Sequence, residues 1–248
     1  MTENVRVRRQ IALTVVGVSF LAWMLVLTGH HSHSHAQATA DSLHTLVAMN
    51  LSSETLLAWF IMLVAMMAPT LISPLQHLWE RSFRRRRARA MGLFALGYVS
   101  VWMAAGAVIQ LVKSALSVLL TASPLPALMV FMAAIIWQCS PVKQRCLNRN
   151  HEHSELRAFG WAADVDTLRF GMRHGLWCIG SCWALMTLPM LLAQGHFASM
   201  GLATFLMLSE SLDRPGPPRW RLRGLGKLFS ILKERGRTIL CGQLVTSS

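Results

Sequence analysis

The sequence predicts an all-α, polytopic transmembrane helical bundle of about six membrane-spanning helices, with the N- and C-termini cytoplasmic. Three observations carry that prediction. The first is where the charge lies: of 24 Lys and Arg, all but Lys113 fall in four blocks outside the apolar stretches. These are Arg6 to Arg9, Arg81 to Arg89, Lys143 to Arg173, and the tail from Arg214 on. Short cytoplasmic loops are enriched in Lys and Arg, and the bias sets orientation. The second is the set of apolar stretches between the blocks, since a bilayer core of about 30 Å needs roughly 20 helical residues. The third is composition: 53% apolar residues, 14% charged residues and a single Tyr, with a mean hydropathy of +0.42. A soluble domain carries nearer a quarter charged residues, about 25%.

Taken in order, the expected spans are 11–28, 55–75, 91–112, 116–137, 176–194 and 197–208. The fourth is blurred by Ser123, Pro124 and Pro126, and the sixth is short. Six crossings return every basic block to the cytoplasm. The first stretch follows a basic N-terminus, and Ala36, Ala38 and Ala40 offer a small-residue cleavage site. It exceeds the apolar core of a signal peptide, about 7 to 15 residues, so an uncleaved anchor is expected. Pro and Gly after Asp213 end the sixth helix at the membrane surface. Residues 213–248 form a basic cytoplasmic tail, in which Leu225, Leu228, Phe229, Ile231 and Leu232 suit an amphipathic segment on the inner leaflet. The net charge of +13 points to anionic phospholipid headgroups. Nucleic acid is not an expected partner, because the charge is interrupted by spans and has no aromatic-studded groove.

Two apolar stretches carry unusual side chains. The second contains Met62, Met66, Met67, Pro69 and Pro74. A proline removes its own donor, so Pro69 frees the carbonyl of Ala65 and Pro74 that of Thr70. In lipid a freed carbonyl needs a partner or a cavity. The fifth contains Cys178, Cys182 and Met186 at steps of four, which places three sulfur atoms on one helical face. Soft sulfur ligands suit a soft ion, Cu(I) above all. Met is also an ordinary core filler and Cys a small apolar residue, so packing and ligation both stand on spacing alone. Gly171, Gly175 and Gly180 permit a close helix neighbour. Counted by helical rise, Met66, Met67 and Cys182 share a level in the cytoplasmic half, and Cys146 can approach from below.

Other metal-ligating residues are weaker candidates. His30, His31, His33 and His35 form an external tract able to capture Cu(II), Zn(II) or Ni(II). His151 and His153 with Glu152 and Glu155 form a cytoplasmic cluster. Cys139, Cys146 and Cys241 face the cytoplasm, where structural disulfides are not expected. No catalytic residue is expected, and the chain reads as a non-enzyme. Its 11 acids lie in loops or at helix ends, and metalloprotease, phosphate-loop and nucleophile-elbow signatures are absent.

The motifs Met62-x-x-Ala65-Met66-Met67-Ala68-Pro69 with Pro74, Trp137-Gln138-x-x-Pro141-x-Lys143-x-x-Cys146-Leu147, and Gly175-x-x-Cys178-x-Gly180-x-Cys182-Trp183-Ala184-Leu185-Met186 resemble a bacterial family of predicted metal-binding integral membrane proteins. The resemblance implies a helical membrane fold in the bacterial inner membrane, multi-pass, and a metal-related role. The chain departs from the family pattern at Ser181-Cys182, where adjacent cysteines are usual, and at His196-Phe197, where a Met-Asn pair follows the outer-turn Gly. The expected function is binding of a soft metal ion, copper as Cu(I), through Cys178, Cys182, Met186, Met66, Met67 and Cys146, to aid its handling or transfer. A non-catalytic subunit or assembly factor of a membrane complex, with a membrane-protein partner, is the alternative. A small-solute transporter ranks last, for want of intramembrane charge and an internal repeat.

Overall fold

The computed structural model describes residues 2–29, 52–119, 125–152, 157, 160–191, 195–213 and 215–220. These residues are helical throughout their regular elements, and no strand occurs among them. The order is α1 (Thr2–Gly29), α2 (Ser53–Met67), a 3-10 turn (Ala68–Leu71), α3 (Ile72–Arg81), α4 (Arg87–Leu119), α5 (Leu125–Cys139), α6 (Pro141–Asn150), α7 (Gly160–Leu191) and α8 (His196–Ser211).

Among the described residues, three helical segments are long and apolar enough to cross a membrane: Val5–Thr28, Ser53–Arg81 and Arg87–Val112. Six spans are not shown. The fourth expected stretch is divided, because α4 runs on to Leu119 and α5 begins only at Leu125, leaving the apolar helix Leu128–Cys139 short. The fifth is the C-terminal half of α7, whose first half carries Asp164, Asp166, Arg169 and Arg173. The sixth is α8, whose 16 residues reach about 24 Å at 1.5 Å per residue.

Pro69 breaks the Ser53–Arg81 rod as the sequence predicts. The chain tightens into the 3-10 turn, and the carbonyl of Ala65 accepts a hydrogen bond of 2.6 Å from Ser19 Oγ on α1. A side chain from a neighbouring helix thus takes the place of the missing backbone donor. Ser19→Ala is expected to lower stability in detergent by about 1 kcal/mol, the usual worth of an interhelical hydrogen bond, read from the thermal midpoint. Ser140 divides α5 from α6 in another way: its side chain caps the Lys143 amide at 3.2 Å, and Pro141 occupies the first helical turn.

The pair α4 and α7, which run parallel from the Arg86–Asp164 end to the Tyr98–Cys178 contact, forms the most extensive helix contact. Small residues make it possible. A Cβ on Gly171 would fall on the Phe94 backbone carbonyl, and one on Gly97 would lie 2.5 Å from the Leu168 carbonyl oxygen. At the charged end, Asp164 is held by both Arg86 and Arg89, the latter at 2.6 Å. Beside this clasp, Leu78, Phe94 and Phe170 form a small apolar cluster. The main core lies further along the crossing, between α2, α4, α7 and α8.

Candidate metal centre

Among the described residues, fourteen buried ones make up the main core, and eight of them carry sulfur: Met62, Met66, Met67, Met186, Met200, Met207, Cys178 and Cys182. Trp59, Tyr98 and Trp102 supply the aromatic walls. Three of the four helices that meet here bring sulfur, and α4 brings Tyr98 and Trp102. α2 delivers Met66 and Met67 just before the Pro69 break, and α7 delivers Cys178 and Cys182 one turn apart. α8 contributes Met200 and Met207, seven residues apart on one face.

A sulfur–sulfur contact joins α2 to α7, with Cys178 Sγ 3.9 Å from Met67 Sδ. The Cys178 and Cys182 thiols interact directly with each other. The Tyr98 hydroxyl lies 3.3 Å from Cys178 Sγ, and the Ser181 hydroxyl lies 3.3 Å from Cys182 Sγ. Trp102 Nε1 is buried and faces the same Tyr98 and Cys178 groups. Trp59 closes the other end, its ring packed on Gly106 and its Nε1 donating to the Trp102 carbonyl at 3.2 Å.

Met66 and Met186, both 0% exposed, share this core with the thiols. Cys146 takes a flanking place: its Sγ lies 2.7 Å from where a Cβ on Gly180 would sit, within electrostatic reach of Cys182. Burial pushes the Cys146 thiol up from its ordinary value, so it is a neutral S–H at pH 7. It does not complete a three-thiol group. Among the described residues no set of three His, Cys, Asp or Glu is placed to hold a metal, and the donors that meet are two thiols and a thioether.

The remaining candidates lie elsewhere. The His30 to His35 tract, His153, Glu155 and Cys241 fall outside the described residues. His151 has its two ring nitrogens against the Leu147 and Ser211 carbonyls, and Glu152 pairs with Arg149 at 3.8 Å. His196 Nδ1 lies 2.7 Å from the Pro189 carbonyl oxygen.

A polar cluster adjoins the sulfur core. Lys143 Nζ on α6 lies 2.7 Å from Glu210 Oε2 on α8, the two side chains being 0% and 1% exposed. The ammonium also donates to Gln138 Oε1 at 2.6 Å, and Gln138 Nε2 donates to Glu210 Oε1. Sequence reasoning assigned no role to Tyr98, Trp102, Met200, Met207 or this cluster. Signals existed: Tyr98 is the single Tyr of the chain, Lys143 and Gln138 sit inside one of the three motifs, and Glu210 is the acid next to the last apolar stretch.

A family model described as PpoB2, copper chaperone, matches residues 56–232. The chain belongs to this copper chaperone family. Comparison with curated proteins and with solved structures returns no match to either. The matched range takes in every residue of the sulfur core from Trp59 to Met207, together with Lys143 and Glu210; α1 precedes it. For a copper chaperone of the PpoB2 family the metal is cargo, and the donors fit it. Thiol and thioether sulfur are soft ligands that select Cu(I) over harder cations, and the apolar, aromatic walls keep competing water out.

Proposed function

We propose that this chain is a multi-pass protein of the bacterial inner membrane, threading lipid six times with both termini cytoplasmic. In this reading it carries Cu(I) as cargo on Cys178, Cys182 and Met67. Met66, Met186 and the flanking Cys146 are further sulfur ligands along the path of transfer, and the protein catalyses no reaction. The observation that carries the reading is the junction of Cys178, Cys182 and Met67 inside a buried core rich in sulfur. Membrane residence is supported by the three apolar helices and by outward-facing apolar side chains on α1 and α5, among them Leu21, Leu25, Met129 and Phe131. The basic loops and tail then lie against anionic headgroups.

Elemental analysis of the full-length chain purified in detergent tests the proposal. Wild type loaded with Cu(I) under reducing conditions and desalted is expected to keep about one copper per chain, and a Cys178→Ser, Cys182→Ser variant to keep none, since a serine hydroxyl is a poor soft-metal ligand. Equal copper in the two proteins would overturn the assignment. That outcome, with co-purification of a larger membrane complex, would favour a packing role for the sulfur residues in an assembly subunit.

A further inference from the structure

Far from the sulfur core, a shallow recess of about 20 Å³ opens where the end of α3 meets the starts of α4 and α7. Three arginines from three separate segments line it: Arg81 ends α3, Arg86 sits in the turn before α4, and Arg157 precedes α7. The small, buried side chains of Ala90 and Ala163 leave the space between them. No lining residue is acidic. Two acids nearby answer part of the charge, since Asp164 holds both Arg86 and Arg89 and Asp166 lies 3.6 Å from Arg157. Set against these two aspartates, Arg81, Arg86, Arg89 and Arg157 leave two positive charges around the recess.

Guanidinium groups converging without an acid among them suit phosphate, whose oxygens match the planar fork of N–H donors. The volume has room for about one water-sized group, so it seats a phosphate oxygen and leaves the rest of the ligand outside. What lies outside is apolar. Phe83, which lines the recess, is 52% exposed. Trp161, 77% exposed, follows Gly160, whose carbonyl accepts a hydrogen bond from Arg86. Exposed aromatic rings beside arginine belong at the headgroup level of a bilayer, and a free phosphate ion makes no use of them. We infer that this recess is a discrete site for one anionic phospholipid, its phosphate held by Arg81, Arg86 and Arg157 and its glycerol region lying against Phe83 and Trp161. A zwitterionic headgroup would bring its own cation back to the arginines. Because the arginines come from three segments, the bound lipid ties α3 to the α4 and α7 pair. Diffuse attraction between a basic surface and a leaflet is shared among many lipids; this site takes one. The inference rests on the membrane residence proposed above and is independent of the thiol site.

Titration of the delipidated full-length chain in detergent with short-chain phosphatidylglycerol, counted by native mass spectrometry, tests it. Wild type is expected to saturate at about one lipid per chain and to bind phosphatidylcholine about tenfold more weakly. The Arg81→Gln, Arg157→Gln double variant is expected to lose about tenfold in phosphatidylglycerol affinity, at roughly 1 kcal/mol for each cation near the headgroup. Arg86 is left in place because it also clasps Asp164. Arg84 and Arg85 are exposed in the same turn and lie outside the lining, so the Arg84→Gln, Arg85→Gln variant removes equal charge and is expected to bind as wild type does. Equal losses in the two double variants, or binding that never saturates, overturn the inference. Displacement of the lipid by an equal concentration of inorganic phosphate assigns the recess to the free ion and overturns it too. A chain that leaves the membrane fraction in an alkaline wash without detergent overturns the membrane reading and this inference with it, while copper retention judges the thiol site separately.

Discussion

Glu210→Leu is expected to destabilise the protein by about 3–5 kcal/mol, the cost of stranding one member of a buried ion pair. Lys143 is 0% exposed, and Glu210 Oε1 accepts from it at 2.9 Å. Without the carboxylate the ammonium keeps, among the described residues, only Gln138 as a side-chain acceptor. A leucine of similar size fills the space and cannot answer the charge. The protein is expected to accumulate poorly, and the purified remainder to melt at a clearly lower temperature than wild type. A melting temperature within a degree of wild type would show that the Lys143 charge finds another outlet. The Glu210→Gln variant, which keeps an acceptor oxygen, is expected to fall between the two.

Gly171→Leu is expected to prevent α4 and α7 from meeting. The obstacle is backbone: the new Cβ would fall on the Phe94 carbonyl group, which has no rotamer to change. Overpacking a core typically costs about 1–3 kcal/mol and more where the neighbour cannot yield. Here relief requires the two helices to part along their whole crossing, which would draw Cys178 away from Tyr98 and Met67. Loss of copper retention together with loss of folded protein is expected, by elemental analysis and by size-exclusion profile. Gly201, which has nothing within 4 Å of a built Cβ, is the control: Gly201→Ala on α8 is expected to leave both measurements unchanged.

Parts of this architecture could be read directly from the chain and parts could not. The break at Pro69 and the need of the Ala65 carbonyl for a partner follow from proline chemistry, and Ser19 meets that need. The shared face of Cys178, Cys182 and Met186 follows from helical period. The depth estimate set Met66 and Met67 level with Cys182; the thiol that approaches Met67, at 3.9 Å, is Cys178, one turn earlier on α7. What period cannot supply is adjacency. Tyr98 meets Cys178 across 80 positions of sequence, and Lys143 meets Glu210 across 67. Both contacts arise only when small residues let α4 and α7 close and the Ser140 break aims α6 beside α7. Length counting locates apolar stretches but not helix ends, for a related reason. Stretches taken as separate apolar spans continue into polar helix, as α7 does at Asp164 and Arg169, so apolar length alone does not set where a helix begins.

The glycine seam between α4 and α7 divides the labour of the molecule. Backbones in direct touch, pinned at one end by an aspartate shared between two arginines, leave no slack for sliding. Together they act as a stator. In the proposed reading, a displacement that hands an ion onward would fall to the helices outside this rigid pair, α2 with its proline joint and α8 with its ion-paired last turn.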